Sequence, residues 1–112
     1  MKDVSVEQRG PVLLITIDRP EAMNALSADV RAGLFEAFAQ FEAETSARVA
    51  ILTGAGDKAF CAGMDLKEAA LTGLAVPPPG FLPIIGQSVQ LSKPTIAAVN
   101  GVAYAGGWLL AH

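Results

Sequence analysis

Apolar and polar residues change rhythm several times along this chain, and each rhythm predicts an element. From Val4 to Gln8 they alternate, as in a short half-buried strand, and Arg9-Gly10-Pro11 follows as a turn. Val12 to Asp18 is apolar and β-branched, a strong strand signal, so the two segments predict an N-terminal hairpin. Arg19 to Leu26 reads as a loop. Ser27 has the chemistry of a helix N-cap, and Asp29 suits the first turn of the helix it opens. Val30, Leu34, Phe38 and Phe41 recur at helical spacing while Arg31, Glu36 and Glu42 lie elsewhere, which predicts a helix from Ala28 to about Glu44 with its aromatic stripe in the core.

Arg48 to Thr53 predicts a buried strand. Strand, helix and strand of these lengths form a right-handed βαβ unit with parallel strands. Beyond it the pattern predicts a short helix from Asp65 to about Leu71 and a proline loop from Val76 to Gly80. A helix over Phe81 to Leu91 follows, with Pro83 in its first turn. Pro94 to Asn100 reads as a third buried parallel strand, Gly101 to Gly107 as a glycine-rich turn, and a last helix opens near Gly106-Gly107. The fold class expected is α/β.

Composition changes this picture in one respect. Hydrophobic residues make up 52% of the 112 and charged residues 17%, with a mean hydropathy of +0.42. A domain this small has much surface to cover and should carry more charge. Residues 1–112 therefore read as the front part of a larger domain, whose C-terminal part is absent. A net charge of -3 and no Lys/Arg cluster argue against nucleic acid as a partner. Cys61, the one cysteine, excludes an internal disulfide and fits a reducing cytoplasm. No signal peptide opens the chain, and no apolar stretch is long enough to span a bilayer.

Candidate chemistry is sparse. Gly54-Ala-Gly-Asp-Lys-Ala59 imitates a dinucleotide-binding loop, but Phe-Cys-Ala-Gly follows it where an amphipathic helix is needed, so a plain turn is the better reading. Cys61 beside small apolar residues reads as a packed thiol, not as a nucleophile paired with His112, and one Cys with one His does not make a transition-metal site. Two places remain, Ala62-Gly63-Met64-Asp65 and Ala105-Gly106-Gly107-Trp108. Each joins a strand end to an expected helix start, where backbone N–H groups lack intrahelical partners. If the strands are neighbours, the N–H groups of Met64 and Gly106 grip one oxygen from two sides. Spacing alone does not separate this from a pair of tight turns.

Four segments carry a family resemblance. Arg19-Pro-Glu-Ala-Met-Asn-Ala-Leu26, Lys58-Ala-Phe-Cys-Ala-Gly-Met-Asp-Leu66, Lys93-Pro-Thr-Ile-Ala-Ala-Val-Asn-Gly101 and Ala105-Gly-Gly107 resemble the crotonase superfamily, the enoyl-CoA hydratase/isomerase group. The resemblance implies the N-terminal part of a crotonase-like ββα spiral fold, and a full-length parent that forms homotrimers or hexamers. It implies an acyl-CoA thioester as substrate and coenzyme A as part of that substrate, with no permanently bound cofactor. It assigns the oxyanion hole to the backbone of Met64 and Gly106, and places Ala22, Met23, Ala25, Ala62, Met64, Asp65, Leu66 and Lys67 along the CoA moiety. Lys67 reads equally well as a solvated helix lysine, and Asp65 better as a helix-start residue than as a catalytic acid.

One position departs from the pattern. The resemblance implies a glutamate three residues after the oxyanion glycine in hydratases, and Leu109 stands there. Leucine neither gives nor takes a proton, which argues against two-glutamate hydration. The chain resembles more closely the family's isomerases, with an apolar residue there and a single glutamate further on, and this resemblance implies isomerase-like chemistry. The alternatives are a hydratase-type lyase and a non-catalytic acyl-CoA-binding or truncated paralogue. No acid or base of this chain matches a catalytic position, so the 112 residues alone are expected to be inactive.

Overall fold

A computed structural model of the chain describes residues 1–65, 80–104 and 106–111. The hairpin is present. β1 (Val4–Arg9) pairs antiparallel with β2 (Val12–Ile17) through a turn at Gly10. α1 runs over Ala28–Ala43, and Ser27 caps it, its hydroxyl accepting the Val30 N–H at 3.3 Å. β3 (Val49–Gly54) lies parallel to β2, and β5 (Thr95–Ala98) lies parallel to β3, so the main sheet has the order β1-β2-β3-β5.

Period-two burial in β2 and β3 decides which face of the sheet α1 covers. Leu13, Ile15 and Ile17 of β2, with Ala50 and Leu52 of β3, are buried on one face. Val30, Leu34, Phe38 and Phe41 of α1 join the same core, as their spacing predicts. Each such aliphatic or aromatic side chain contributes roughly 1.5–3 kcal/mol relative to exposure.

Three expectations need correction. Residues 81–91 form no helix. Pro83 has no N–H to give a helix, Gly86 sits at φ 87°, and the Ser88 hydroxyl takes the Ile84 N–H and donates to the Leu82 carbonyl. The result is a tight turn in which the N–H groups of Gln87, Ser88 and Val89 all reach the Ile84 carbonyl. The third parallel strand is real but not buried: among the described residues β5 is the last strand of the sheet, and Ile96 is 55% and Val99 52% exposed. Lastly, a second sheet was not foreseen. β4 (Ala59–Cys61) and β6 (Val102–Ala103) pair in parallel inside segments that read as turns. The expected helix from Asp65 to Leu71 and the loop from Val76 fall mostly on residues 66–79, outside the described residues; Asp65 itself is not helical.

Candidate functional site

The small second sheet is what brings the two candidate turns together. In its register Ala59 faces Val102 and Cys61 faces Ala103, with the Val102 N–H bonded to the Lys58 carbonyl at 3.2 Å and the Tyr104 N–H to the Cys61 carbonyl at 3.1 Å. Both strands run the same way, so their C-terminal ends open side by side. From β4 the chain enters Ala62-Gly63-Met64, turning at Gly63 with φ 89°. From β6 it passes Tyr104 and enters α2 (Gly106–Leu110). Gly107 rests directly on the Cys61 carbonyl, where a β-carbon would overlap the oxygen. Glycine at this position is a condition of the two turns meeting.

Arg19–Leu26 forms the other wall. It makes a 3-10 turn at Pro20–Ala22 and then runs beside Cys61–Asp65. The Ala62 N–H donates to the Met23 carbonyl at 3.1 Å, and the Leu26 N–H donates to the Gly63 carbonyl at 2.6 Å. Leu26 and Met64 form a single parallel bridge. That bridge uses the carbonyl of Gly63, and in a parallel pair the N–H of the opposing residue faces away. Among the described residues no acceptor takes the Met64 N–H. Gly106 opens α2, where N–H groups have no partner within the helix.

Asp65 has a partner that the sequence pattern did not show. Its Oδ2 meets Arg19 Nη1 at 2.5 Å, and both side chains are largely shielded. The Asp65 hydrogen bond holds the Arg19 guanidinium above its ordinary value, against the cost of burial. This ion pair spans 46 positions of sequence, and the helix that Asp65 is expected to start lies outside the described residues. Of the residues assigned to the CoA moiety, Ala22, Met23, Ala25, Ala62, Met64 and Asp65 gather along these two facing segments. Met23 is exposed at 40%, and Ala25 is buried. Leu66 and Lys67 lie outside the described residues.

Comparison with known proteins gives the family and the fold. A family model described as enoyl-CoA hydratase/isomerase matches residues 7–112. The chain belongs to this family. It is 45% identical to a carnitinyl-CoA dehydratase from Salmonella arizonae, over 98% of this chain and 42% of that protein. An enoyl-CoA hydratase from Mycobacterium tuberculosis superposes with a TM-score of 0.83 at 46% identity, covering 99% of this chain and 43% of the other. One from Mycobacterium marinum gives 0.84 at 44% identity, with coverages of 99% and 43%. The fold is therefore the crotonase fold, and the chain spans less than half the length of the relatives it matches.

Within this member of the enoyl-CoA hydratase/isomerase family, Cys61 is a packing residue. It is fully buried, and burial pushes its thiol up to about 11, only partly offset by a hydrogen bond from the Gly63 backbone. His112 lies outside the described residues. Leu109, on α2, is 44% exposed and brings no proton donor or acceptor to the site. Among the described residues no group of three or more His, Cys, Asp or Glu side chains is placed to hold a metal ion. No helix among them is long and apolar enough to cross a membrane. An apolar groove of about 430 Å³ between α1 and residues 88–91 contains none of the site residues.

Proposed function

We propose that this chain is the N-terminal part of a crotonase domain that processes acyl-CoA thioesters, with the N–H groups of Met64 and Gly106 as its oxyanion hole. The observation that carries the reading is the parallel β4–β6 pair, which opens both turns on the same side. Removing a proton from the carbon next to a thioester moves negative charge onto the carbonyl oxygen. Two fixed N–H donors stabilise that enolate where it forms, and loss of one such donor typically costs about 3 kcal/mol of transition-state stabilisation. Backbone supplies the donors, so the Met64 side chain is free to be anything that fits. The CoA moiety lies along Ala22, Met23, Ala25, Ala62, Met64 and Asp65 and continues to Leu66 and Lys67. Coenzyme A enters as part of the substrate, and the full-length parent assembles as a homotrimer or hexamer.

Leu109 favours double-bond transfer, in which one proton leaves one carbon and returns to another, over addition of water. The names of the relatives, dehydratase and hydratase, favour the second reading, a lyase. Assay of a full-length parent carrying leucine here, with trans-2-enoyl-CoA and 3-enoyl-CoA, separates them. Isomerisation of the 3-enoyl substrate with slow hydration of the other is the expected result. Fast hydration without isomerisation establishes the lyase. Tight acyl-CoA binding with no turnover of either substrate establishes a binding protein.

A further inference from the structure

Two buried or half-buried asparagines meet at the first carbonyl of β4. Asn24 is completely buried, in the left-handed region at φ 56°. Its Nδ2 donates to the Ala59 carbonyl at 2.8 Å and the Ala55 carbonyl at 3.1 Å, while its Oδ1 accepts the Arg19 N–H at 2.9 Å. Asn100 reaches the same carbonyl. Its Nδ2 donates to the same Ala59 carbonyl at 3.2 Å and to the Gly56 carbonyl at 2.9 Å, and its Oδ1 accepts the Gly54 N–H at 3.1 Å. A carbonyl has two lone pairs, and here each is filled by a different asparagine.

Their places in the chain give this junction a consequence. Asn24 belongs to the segment whose backbone holds the Met64 turn. Asn100 stands just before Gly101 and β6, whose far end leads to Gly106; Gly101 sits so tightly on the Lys58 carbonyl that a side chain there would overlap it. One asparagine thus anchors each half of the site, and both anchor to one atom. We propose that Asn24 and Asn100 are positioning residues which set the separation of the Met64 and Gly106 N–H groups through the Ala59 carbonyl. The proposal rests on the oxyanion reading above. Neither side chain needs to touch substrate. Displacement of a reacting group by about 1 Å is enough to cost on the order of a hundredfold in rate.

The test uses a full-length parent that contains this segment, and 4-(dimethylamino)cinnamoyl-CoA, whose absorption moves to longer wavelength when donors polarise its thioester carbonyl. Asn24→Gly keeps the left-handed backbone and deletes the amide. Asn100→Asp keeps the acceptor for Gly54 and deletes both donors. Asn100→Ser and Asn24→Asp stand in for a variant that does not fold. The wild-type chain is expected to red-shift the bound probe. Each variant, saturated well below its melting temperature, is expected to lose most of that shift while still binding the CoA moiety, and the amide resonances of Met64 and Gly106 should move in the unliganded protein. An unchanged red shift with a lower melting temperature means the asparagines only hold the fold, and overturns the proposal while the oxyanion reading stands. A bound probe with no shift in the wild type overturns both.

Discussion

At the scale of single residues, Cys61 is the packed thiol that its apolar neighbours predict. It lies under Gly107 with no solvent access. Its thiol sits at about 11 against an ordinary 9.0. Folding therefore keeps a proton that the unfolded chain releases, so this contribution to stability is complete below about pH 9 and is lost as the pH rises toward 11. Cys61→Ala should flatten the alkaline side of a stability–pH profile by up to about 3 kcal/mol, measured by denaturant melts across that range. Thiol-modifying reagent at pH 8 should label the native chain at the rate of its unfolding. Asn24 is the converse case. It stood inside a family motif without a role, because its partners at Ala55 and Ala59 are remote in sequence.

Among the elements, the bounds of α1 were legible because cap, stripe and period all agree locally. The group that closes its C-terminus was not. Lys93, fifty residues away, places its ammonium on the carbonyls of Phe41, Glu44 at 2.9 Å and Ala47 at 2.7 Å, and 4.4 Å from the Phe41 ring centroid. This cation satisfies helix-end carbonyls and opposes the negative end of the helix dipole. Lys93→Ala should lower stability by about 2 kcal/mol, the range of hydrogen bonds to charged groups, read from chemical denaturation. Lys93→Arg should restore part of it. The strands of the second sheet escaped the sequence reading for a different reason. β4 and β6 are too short to show a period, and each exists only because the other lies beside it. The turn at residues 81–91 was misread as a helix because its apolar spacing suits one, while Gly86 and the Ser88 hydroxyl satisfy its backbone another way.

For the molecule as a whole, the main sheet is covered on one face only among the described residues. Leu14, Ile51 and Ile96 stand in register across β2, β3 and β5 on the face opposite α1; Leu14 and Ile51 are half-buried and Ile96 is 55% exposed. Among the described residues β5 also has no partner on its outer edge, and an apolar sheet edge is a template for association. The isolated chain is expected to self-associate at micromolar concentration, and Ile96→Lys should suppress this without lowering the melting temperature by more than a few degrees. Static light scattering over a dilution series checks the first, and a thermal melt the second. Monodisperse wild-type monomer at all concentrations would sink the idea.

Taken alone, the sequence determined the hairpin, the capped helix, the parallel strands that flank it and the family motifs, because periodicity, capping and glycine chemistry act over a few residues. Tertiary structure alone decided that Gly107 rests on the Cys61 carbonyl, that Arg19 pairs with Asp65, that Lys93 closes α1, and that two asparagines share the Ala59 carbonyl. Each of these joins groups far apart in the chain. Each depends on the register of the sheet to bring its partners together, and no local pattern records them.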